Sequence, residues 1–569
     1  MSFPPEDEEL FLPLHIAVSN KDLTGLKTLL EESQDSINLR DPWNYTPLQI
    51  AVQQNDLPAV QLLLSCGADS NLSVPDDYSE LVDGTNSLSL AATYGHLKVL
   101  RLLGESSGRL TSKSLYMAAE SGRLECVEFI ISRFAKRDGT MFDDEVAKSE
   151  AFGEALRIAA DGWRNDIVEV ILRNFQIGSA FLDKALLGSI GDEDELDDLH
   201  LINPVPRKTP EGKEKRINTI KLLIDAGADV NVKGVLHWIK DMTLLHQAAQ
   251  MGNRGRDIIN LLLEKGPEIN SANEDGQTSL LLAVLADDVF PAQKLIQNGA
   301  AIDHTDKAGR TAPHVSTGNL TTACKSIVTL LLDRGADISA LTQNGETALH
   351  LAAHHGNAVA MEILIPPSQG LLLSARTLTG LTALHCAANG HLAQQCVDVV
   401  SLLLSDGADI NEGTDDGYTL LHLAMIRNTL NKIDFISFLL ENGADVNNHK
   451  SSEFSSRLAQ RQEGNPGFAE AQIPSKAVVD TPLHLSLDVE RAEFDIVYLL
   501  LNNGADLEIK DSVGRTALLR CVLGHEATPL RLEIAQELIK RGADIKAVND
   551  LGRKFDVDIW CVEQSWGQC

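Results

Sequence analysis

Sixteen histidines, eight cysteines and 81 Asp and Glu give this 569-residue chain ample acid–base and ligand chemistry on paper. Spacing decides whether they use it. Seven histidines (His15, His246, His314, His350, His385, His422 and His484) stand fourth in a recurring apolar motif such as TALHLAA, Thr347–Ala353. A neutral imidazole there can bridge backbone groups of adjacent turns and satisfy polar atoms that a helix start leaves open. Their regular phase therefore accounts for them without a metal. His354 and His355 follow one motif as an isolated pair, with no Cys or carboxylate at zinc-ligand spacing. The cysteines form no CxxC, so reduced thiols are expected, with Cys386 and Cys521 as small core residues and Cys66 exposed beside Gly67. Gly212-Lys213 lacks the earlier glycine of a phosphate loop, and no dinucleotide, metalloprotease, hydrolase or kinase signature occurs. The run Asp192–Asp198 lacks the ligand alternation and glycine of a calcium loop. No catalytic residue, metal site or cofactor is expected.

The elements around these histidines are short and repeated. In Ile327–Ala353, IVTLLLDRGADISALTQNGETALHLAA, an apolar helical face ends at Gly335, a residue that takes the left-handed conformation without a Cβ penalty. Gln343-Asn344-Gly345 reads as a tight turn. Thr347 then caps a second helix whose Leu349, Ala352 and Ala353 form a small apolar face. Thr243, Thr278, Thr311, Thr347, Thr382 and Thr419 open the same helix at intervals of 33 to 37 residues, and Thr481 and Thr516 do so after a longer gap. Related motifs stand as TPLQIAV (Thr46–Val52), TALHCAA (Thr382–Ala388), TLLHLAM (Thr419–Met425) and TPLHLSL (Thr481–Leu487). Gly-Ala-Asp recurs at Gly67, Gly227, Gly335, Gly407, Gly443, Gly504 and Gly542. A period near 33 with this motif resembles the ankyrin-repeat family.

The resemblance implies an all-α solenoid of about fourteen helix–turn–helix repeats with finger loops, covering nearly the whole chain. Residues 1–11 are expected to be a disordered acidic leader, and 12–191 N-terminal repeats that are degenerate from the third on. Repeats three to six are expected to lack the capping Thr and terminating Gly, and so to open before repeats seven to fourteen. Residues 192–216 read as a charged flexible insertion splitting repeat six, because such a composition cannot bury enough apolar surface. Regular repeats should fill 217–449, a second flexible insertion 450–480, and C-terminal repeats with a cap 481–569. Phe555 and Trp560 are expected to cover the last core, and Pro366-Pro367 replaces Gly-Ala-Asp at the end of repeat ten.

Composition restricts function. A net charge of −32 opposes a nucleic-acid footprint, which needs clustered Lys and Arg. No apolar run reaches the roughly 20 residues that span a bilayer, and the acidic start lacks a signal peptide's basic and apolar regions. A monomer in cytoplasm, nucleus or both is expected, with one or more protein partners. The first reading is a scaffold or adaptor. The second is a transcription coregulator acting through a bound factor, suggested by the basic stretch Arg207–Arg216 as a loose import signal. An enzyme with an unrecognised site is the weakest reading. By the resemblance, residues before the Thr and after the Ala-Ala pair face the groove. Those positions hold Trp43, Tyr45, Tyr94, Met251, Arg310, His354, His355, Tyr418, Arg427 and Arg515, with Trp163 one place further on. Trp, Tyr and Arg dominate interface hot spots, so these are the expected partner-binding residues.

Overall fold

The computed structural model describes residues 12–552 apart from 33–35, 74–84, 107–109, 137–144, 191–208, 237–238, 369, 390–392, 427–431, 450–479, 489–493, 524–528 and 551. The chain folds as two compact units, Met1–Glu274 and Asp275–Cys569. Among the described residues of the first, seven helix pairs follow one another: Pro13–Ser19 with Leu23–Glu32, Pro47–Gln53 with Leu57–Ser65, Ser87–Tyr94 with Leu97–Ser106, Ser112–Glu120 with Leu124–Lys136, Glu145–Asp161 with Asn165–Asn174, Ser179–Gly188 with Pro210–Asp225, and Leu244–Gln250 with Arg256–Glu264. The described residues of the second also form seven: Ser279–Leu285 with Val289–Gln297, Ala312–Ser316 with Thr322–Asp333, Ala348–His355 with Ala358–Ser368, Ala383–Asn389 with Ala393–Ser405, Leu420–Ile426 with Lys432–Glu441, Pro482–Asp488 with Phe494–Asn502, and Ala517–Leu523 with Pro529–Lys540. Within each unit first helices pack on first helices and second on second, giving an inner and an outer layer.

Short inner helices need strong starts, because most of their backbone groups lie in a first or last turn. At Thr347 the hydroxyl accepts from the His350 backbone N–H, and His350 Nδ1 accepts from the Thr347 N–H at 3.2 Å. This reciprocal box recurs at Thr243 with His246 and at Thr311 with His314. The inner layer then closes through small residues: Ala352 and Ala353 are at most 1% exposed, as are Ala91 and Ala92 and Ala118 and Ala119. Outer helices bury a Leu stripe, including Leu63, Leu103, Leu262, Leu331 and Leu403 at 0% exposure. Each fully buried Leu contributes about 1.5–3 kcal/mol. After the outer helix Thr322–Asp333, Gly335 has φ +85° with open space where a Cβ would stand, so its conformation and not crowding demands glycine.

The residues after Gly-Ala-Asp lock neighbouring repeats. Asn411 Oδ1 accepts from the Asp445 N–H at 2.7 Å, and Asn447 Oδ1 from the Asp506 N–H at 2.7 Å. The second bond, and the packing of Leu420–Ile426 on Pro482–Asp488, join repeats twelve and thirteen directly across 450–479. That inserted segment lies outside the described residues, as do the leader, the acidic run Asp192–Asp198 and the expected cap at Phe555 and Trp560.

One boundary is corrected, and two features add to the repeat pattern. The helix Pro210–Asp225 starts inside the proposed 192–216 insertion: Thr209 caps it by accepting from the Gly212 N–H at 3.1 Å, and Pro210 stands at a first-turn position that needs no N–H. Arg216 is consequently helical and 1% exposed. Repeat three does keep a cap, Asn86 Oδ1 accepting from the Ser89 N–H at 2.9 Å, and Gly95 ends its inner helix at φ +79°. Degenerate repeats also gain side-chain staples on helix-end carbonyls: His96 Nε2 lies 3.2 Å from the Gln53 carbonyl, and Arg123 Nε donates to the Thr93 carbonyl at 3.2 Å. Finally, the finger after Pro210–Asp225 is a two-stranded antiparallel hairpin, Gly234–Leu236 with Ile239–Met242, which the repeat pattern does not announce.

Candidate functional site

Several fingers turn on one side chain each. Asp306 Oδ1 accepts from the backbone N–H groups of Ala308 at 2.9 Å and Arg310 at 2.8 Å. Asp41 does the same for Trp43 at 3.0 Å and Tyr45 at 2.8 Å, and Asp511 for Val513 and Arg515 at 2.9 and 2.8 Å. Thr414 plays this part for Tyr418 at 3.1 Å. Fingers of the second unit are then joined by backbone bonds: Lys307 N–H to the Asp275 carbonyl, Gln343 N–H to Ala308 and Leu378 N–H to Asn344, all 2.9 Å. Gly309 sits in that seam at φ +77°, and a Cβ there would lie 2.8 Å from Gln343 N. These fingers of the second unit are therefore tied to one another beside the inner helices.

The structure sorts the expected partner-binding residues. Trp43 is 48% exposed at a finger tip. Tyr45 and Tyr94 are half-buried, and Tyr94 stacks on His96 with ring centroids 5.8 Å apart. Burial pushes both phenols up; the Gln53 side chain beside Tyr45 partly opposes this. Met251, His354, His355 and Tyr418 are half-buried at inner-helix ends or fingers, with His354 and His355 edge to face at 5.5 Å. Arg310 and Arg515 are held by their own fingers: Arg310 Nη2 is 2.7 Å from Asp306 Oδ2, and Arg515 Nε is 2.8 Å from Asp511 Oδ2. Arg427 lies outside the described residues. Trp163 is corrected outright. It is 1% exposed, its indole N–H donates to the Ser189 carbonyl at 2.7 Å, and the Arg216 guanidinium lies 5.3 Å from its ring centroid. The ring is part of the interior joining repeats five and six.

Residue type alone hid other exposed positions. Leu285, Ile426 and Leu523 follow the buried inner-helix pair just as His354 does, yet are 50%, 56% and 37% exposed. Leu341 and Leu378, at 58% and 63%, flank finger turns. Aliphatic side chains read as core unless their place in the repeat is considered. Arg376 was likewise unmarked: its Nη1 donates at 2.9 Å to both the Gly380 and Gly413 carbonyls, clasping one finger to the next. Arg40 repeats the clasp on Asn44 and Ser73.

The seven motif histidines are all interior, at 0–2% exposure. Burial pushes their imidazoles down where a shift is resolved, to about 4 for His385 and His422. All but His15, which follows Leu12 and has no capping Thr, meet their capping Thr at Nδ1; His350 Nε2, 3.0 Å from the Ala375 carbonyl, donates to the next finger. Burial pushes the Cys386 thiol up to about 12 and Cys521 to about 11, which leaves them protonated and unreactive. Among the described residues no group of three or more His, Cys, Asp or Glu is placed to hold a metal ion. No described helix is long and apolar enough to cross a membrane.

The family description "Ankyrin repeats (3 copies)" matches residues 14–114, 212–306, 245–342, 282–375, 322–412 and 371–450, and "Ankyrin repeat" matches 480–512 and 513–550. These spans cover well over half of the chain, which belongs to the ankyrin-repeat family. It is 35% identical over 146 residues to human B-cell lymphoma 3 protein, covering 25% of this chain and 31% of that protein. It is 29% identical over 217 residues to the Caenorhabditis elegans ankyrin repeat and KH domain-containing protein mask-1, 38% of this chain and 7% of the relative. With the ankyrin repeat and LEM domain-containing protein 1 homolog of the same worm it shares 39% over 80 residues, 14% of this chain and 11% of the relative. The chain thus spans a third or less of the length of these curated relatives.

Proposed function

We propose that the chain is a scaffold or adaptor that binds partner proteins through its fingers and inner-helix ends, and that it acts by binding and not by catalysis. One observation carries this reading. Large apolar side chains stay exposed at equivalent repeat positions, Leu285, Ile426 and Leu523, on a framework whose histidines and finger carboxylates are occupied with its own backbone. Rigid surface studded with exposed apolar anchors is what a protein interface uses. Buried, low-affinity-for-proton histidines offer no acid or base to a substrate. A narrower coregulator role and a nuclear location draw on the basic stretch Arg207–Arg216; with Arg216 in the core, only part of that run is left for an import receptor.

The test is tandem purification of the tagged full chain and of Leu285→Glu with Ile426→Glu, beside an outer-helix control, Ile539→Glu. Partners lost from the inner-face variant and kept by the control support the reading. Partners lost only from the control refute it. Imaging the tagged chain in nucleus and cytoplasm separates the coregulator from the plain scaffold.

A further inference from the structure

The chain contains an internal template for what its second finger binds. In repeats nine and fourteen, the finger carboxylate is neutralised four residues later by an arginine: Asp306 by Arg310, with Nη2 at 2.7 Å and Nε at 2.8 Å, and Asp511 by Arg515 at 2.8 Å. In repeat two the same turn is drawn by Asp41, whose N–H donates to the Tyr45 carbonyl at 2.9 Å, as Asp306 donates to Arg310 at 3.0 Å and Asp511 to Arg515 at 2.8 Å. Here, however, the fourth residue is Tyr45. Among the described residues no Lys or Arg forms an ion pair with Asp41. The basic group acting on it is His15, buried and pushed down by that burial, hence neutral near pH 7. Arg40 next door is turned away onto the Asn44 and Ser73 carbonyls.

Aromatic residues lie on this finger and at the end of the next inner helix, with Tyr45 close enough to Asp41 to act on it electrostatically. Trp43 is exposed, Tyr45 and Tyr94 are half-buried and close enough to act on each other electrostatically, and the helices Pro47–Gln53 and Ser87–Tyr94 that place them pack together. Ring faces attract a guanidinium, and a largely desolvated carboxylate on the same finger adds to the attraction. The surrounding chain has the matching sign, since residues 12–106 hold twelve Asp and Glu against five Lys and Arg. A second candidate occupant, a purely apolar segment, fits the exposed leucines of the second unit better than this charged place.

We propose that the finger of repeat two, with Trp43, Tyr45 and Tyr94 around Asp41, docks an arginine-bearing segment of the partner protein, whose guanidinium takes the role that Arg310 and Arg515 fill in their own fingers. This rests on the scaffold reading and names the chemistry of its partner. The same template supplies the test. Tyr45→Arg places a cation on Asp41 from within, so it should fold with an equal or higher melting temperature yet exclude the ligand.

The probe is a fluorescein-labelled heptapeptide with two arginines, titrated by anisotropy against the full chain, beside its glutamine counterpart. We expect the arginine peptide to bind in preference to the glutamine one, and to weaken as salt rises. Tyr45→Arg and, separately, Trp43→Ala with Tyr94→Ala should each lose about ten-fold in affinity or more. Tyr45→Phe, which keeps the ring, should stay within about two-fold of the native chain. Equal binding of the two peptides, or unchanged affinity in Tyr45→Arg and in the double alanine variant, overturns the proposal and leaves only diffuse attraction to a chain of charge −32. Should Tyr45→Arg fail to fold, the double alanine variant decides alone. If these arms fail while the Leu285→Glu, Ile426→Glu variant still loses partners, the scaffold reading stands and the arginine site falls.

Discussion

His385 and His422, in adjacent repeats, make acid stability predictable in both sign and size. Each accepts at Nδ1 from its Thr backbone N–H at 3.1 Å and is at most 1% exposed, so a proton there would meet a donor in a dry site. Their folded values are about 4, against about 6.5 when unfolded. A lowered folded value means that the unfolded chain binds protons first. Stability is therefore complete above about pH 6.5 and is lost as pH falls toward about 4, at about 1.36 kcal/mol per unit per histidine. Between pH 7.5 and 5.0 each ring costs about 2 kcal/mol, and the pair about 4 kcal/mol. Repeat two supplies the control: Gln49 stands at the histidine place, its Oε1 accepting from the Thr46 N–H at 2.8 Å and its Nε2–H donating to the Leu72 carbonyl at 2.9 Å. His385→Gln with His422→Gln should keep the cap and remove the titration. The assay is native-state hydrogen exchange of residues 382–441 at both pH values, corrected for intrinsic rates. The native chain should lose about 4 kcal/mol more protection there than the glutamine variant. Equal losses in the two proteins would refute the assignment of these rings as buried neutral acceptors.

Three further outcomes follow from packing. Trp163→Ala should lower stability by about 3–5 kcal/mol, read as an early melting phase of the first unit, because it empties the contact with Arg216 and Ser189. Gly309→Ala should cost clearly more than Gly335→Ala: the latter meets only the left-handed penalty of about 1–2 kcal/mol, whereas the former also strikes Gln343 N; denaturant midpoints of the two variants compare them. Arg520 is 5% exposed between Asp480 and Asp511, so Arg520→Ala should destabilise repeats thirteen and fourteen by about 3–5 kcal/mol; against the upward push of burial, Arg520 holds the Asp480 carboxyl below its ordinary range, so the loss should shrink in acid as Asp480 protonates.

The repeat count, the capping Thr–His pairs and the terminating glycines were legible because each rests on contacts within about four residues, and local chemistry repeats with the sequence. Misreadings came where a distant partner decides. Trp163 occupies a left-handed backbone at φ +52° and turns inward onto Ser189 and Arg216, neither of which its own repeat supplies. Arg216 belongs to a segment whose charge suggested a loop, although Thr209-Pro210 already carried the signature of a capped helix start. Arg310 and Arg515 were assigned to partners by residue type, while the Asp four places earlier in each case was the readable sign that they are already engaged. Leu285, Ile426 and Leu523 show the converse: aliphatic residues at groove positions are exposed although their type suggests core.

Hydrogen-exchange footprinting of the full chain with and without a purified partner tests the binding-face claim most directly. The account predicts new protection in finger segments, such as 39–46 and 341–347, and at inner-helix ends near Tyr94, His354 or Ile426. The outer helices Leu57–Ser65, Val289–Gln297 and Pro529–Lys540 should exchange as before. Protection confined to the outer helices, with fingers and inner-helix ends unchanged, would contradict it.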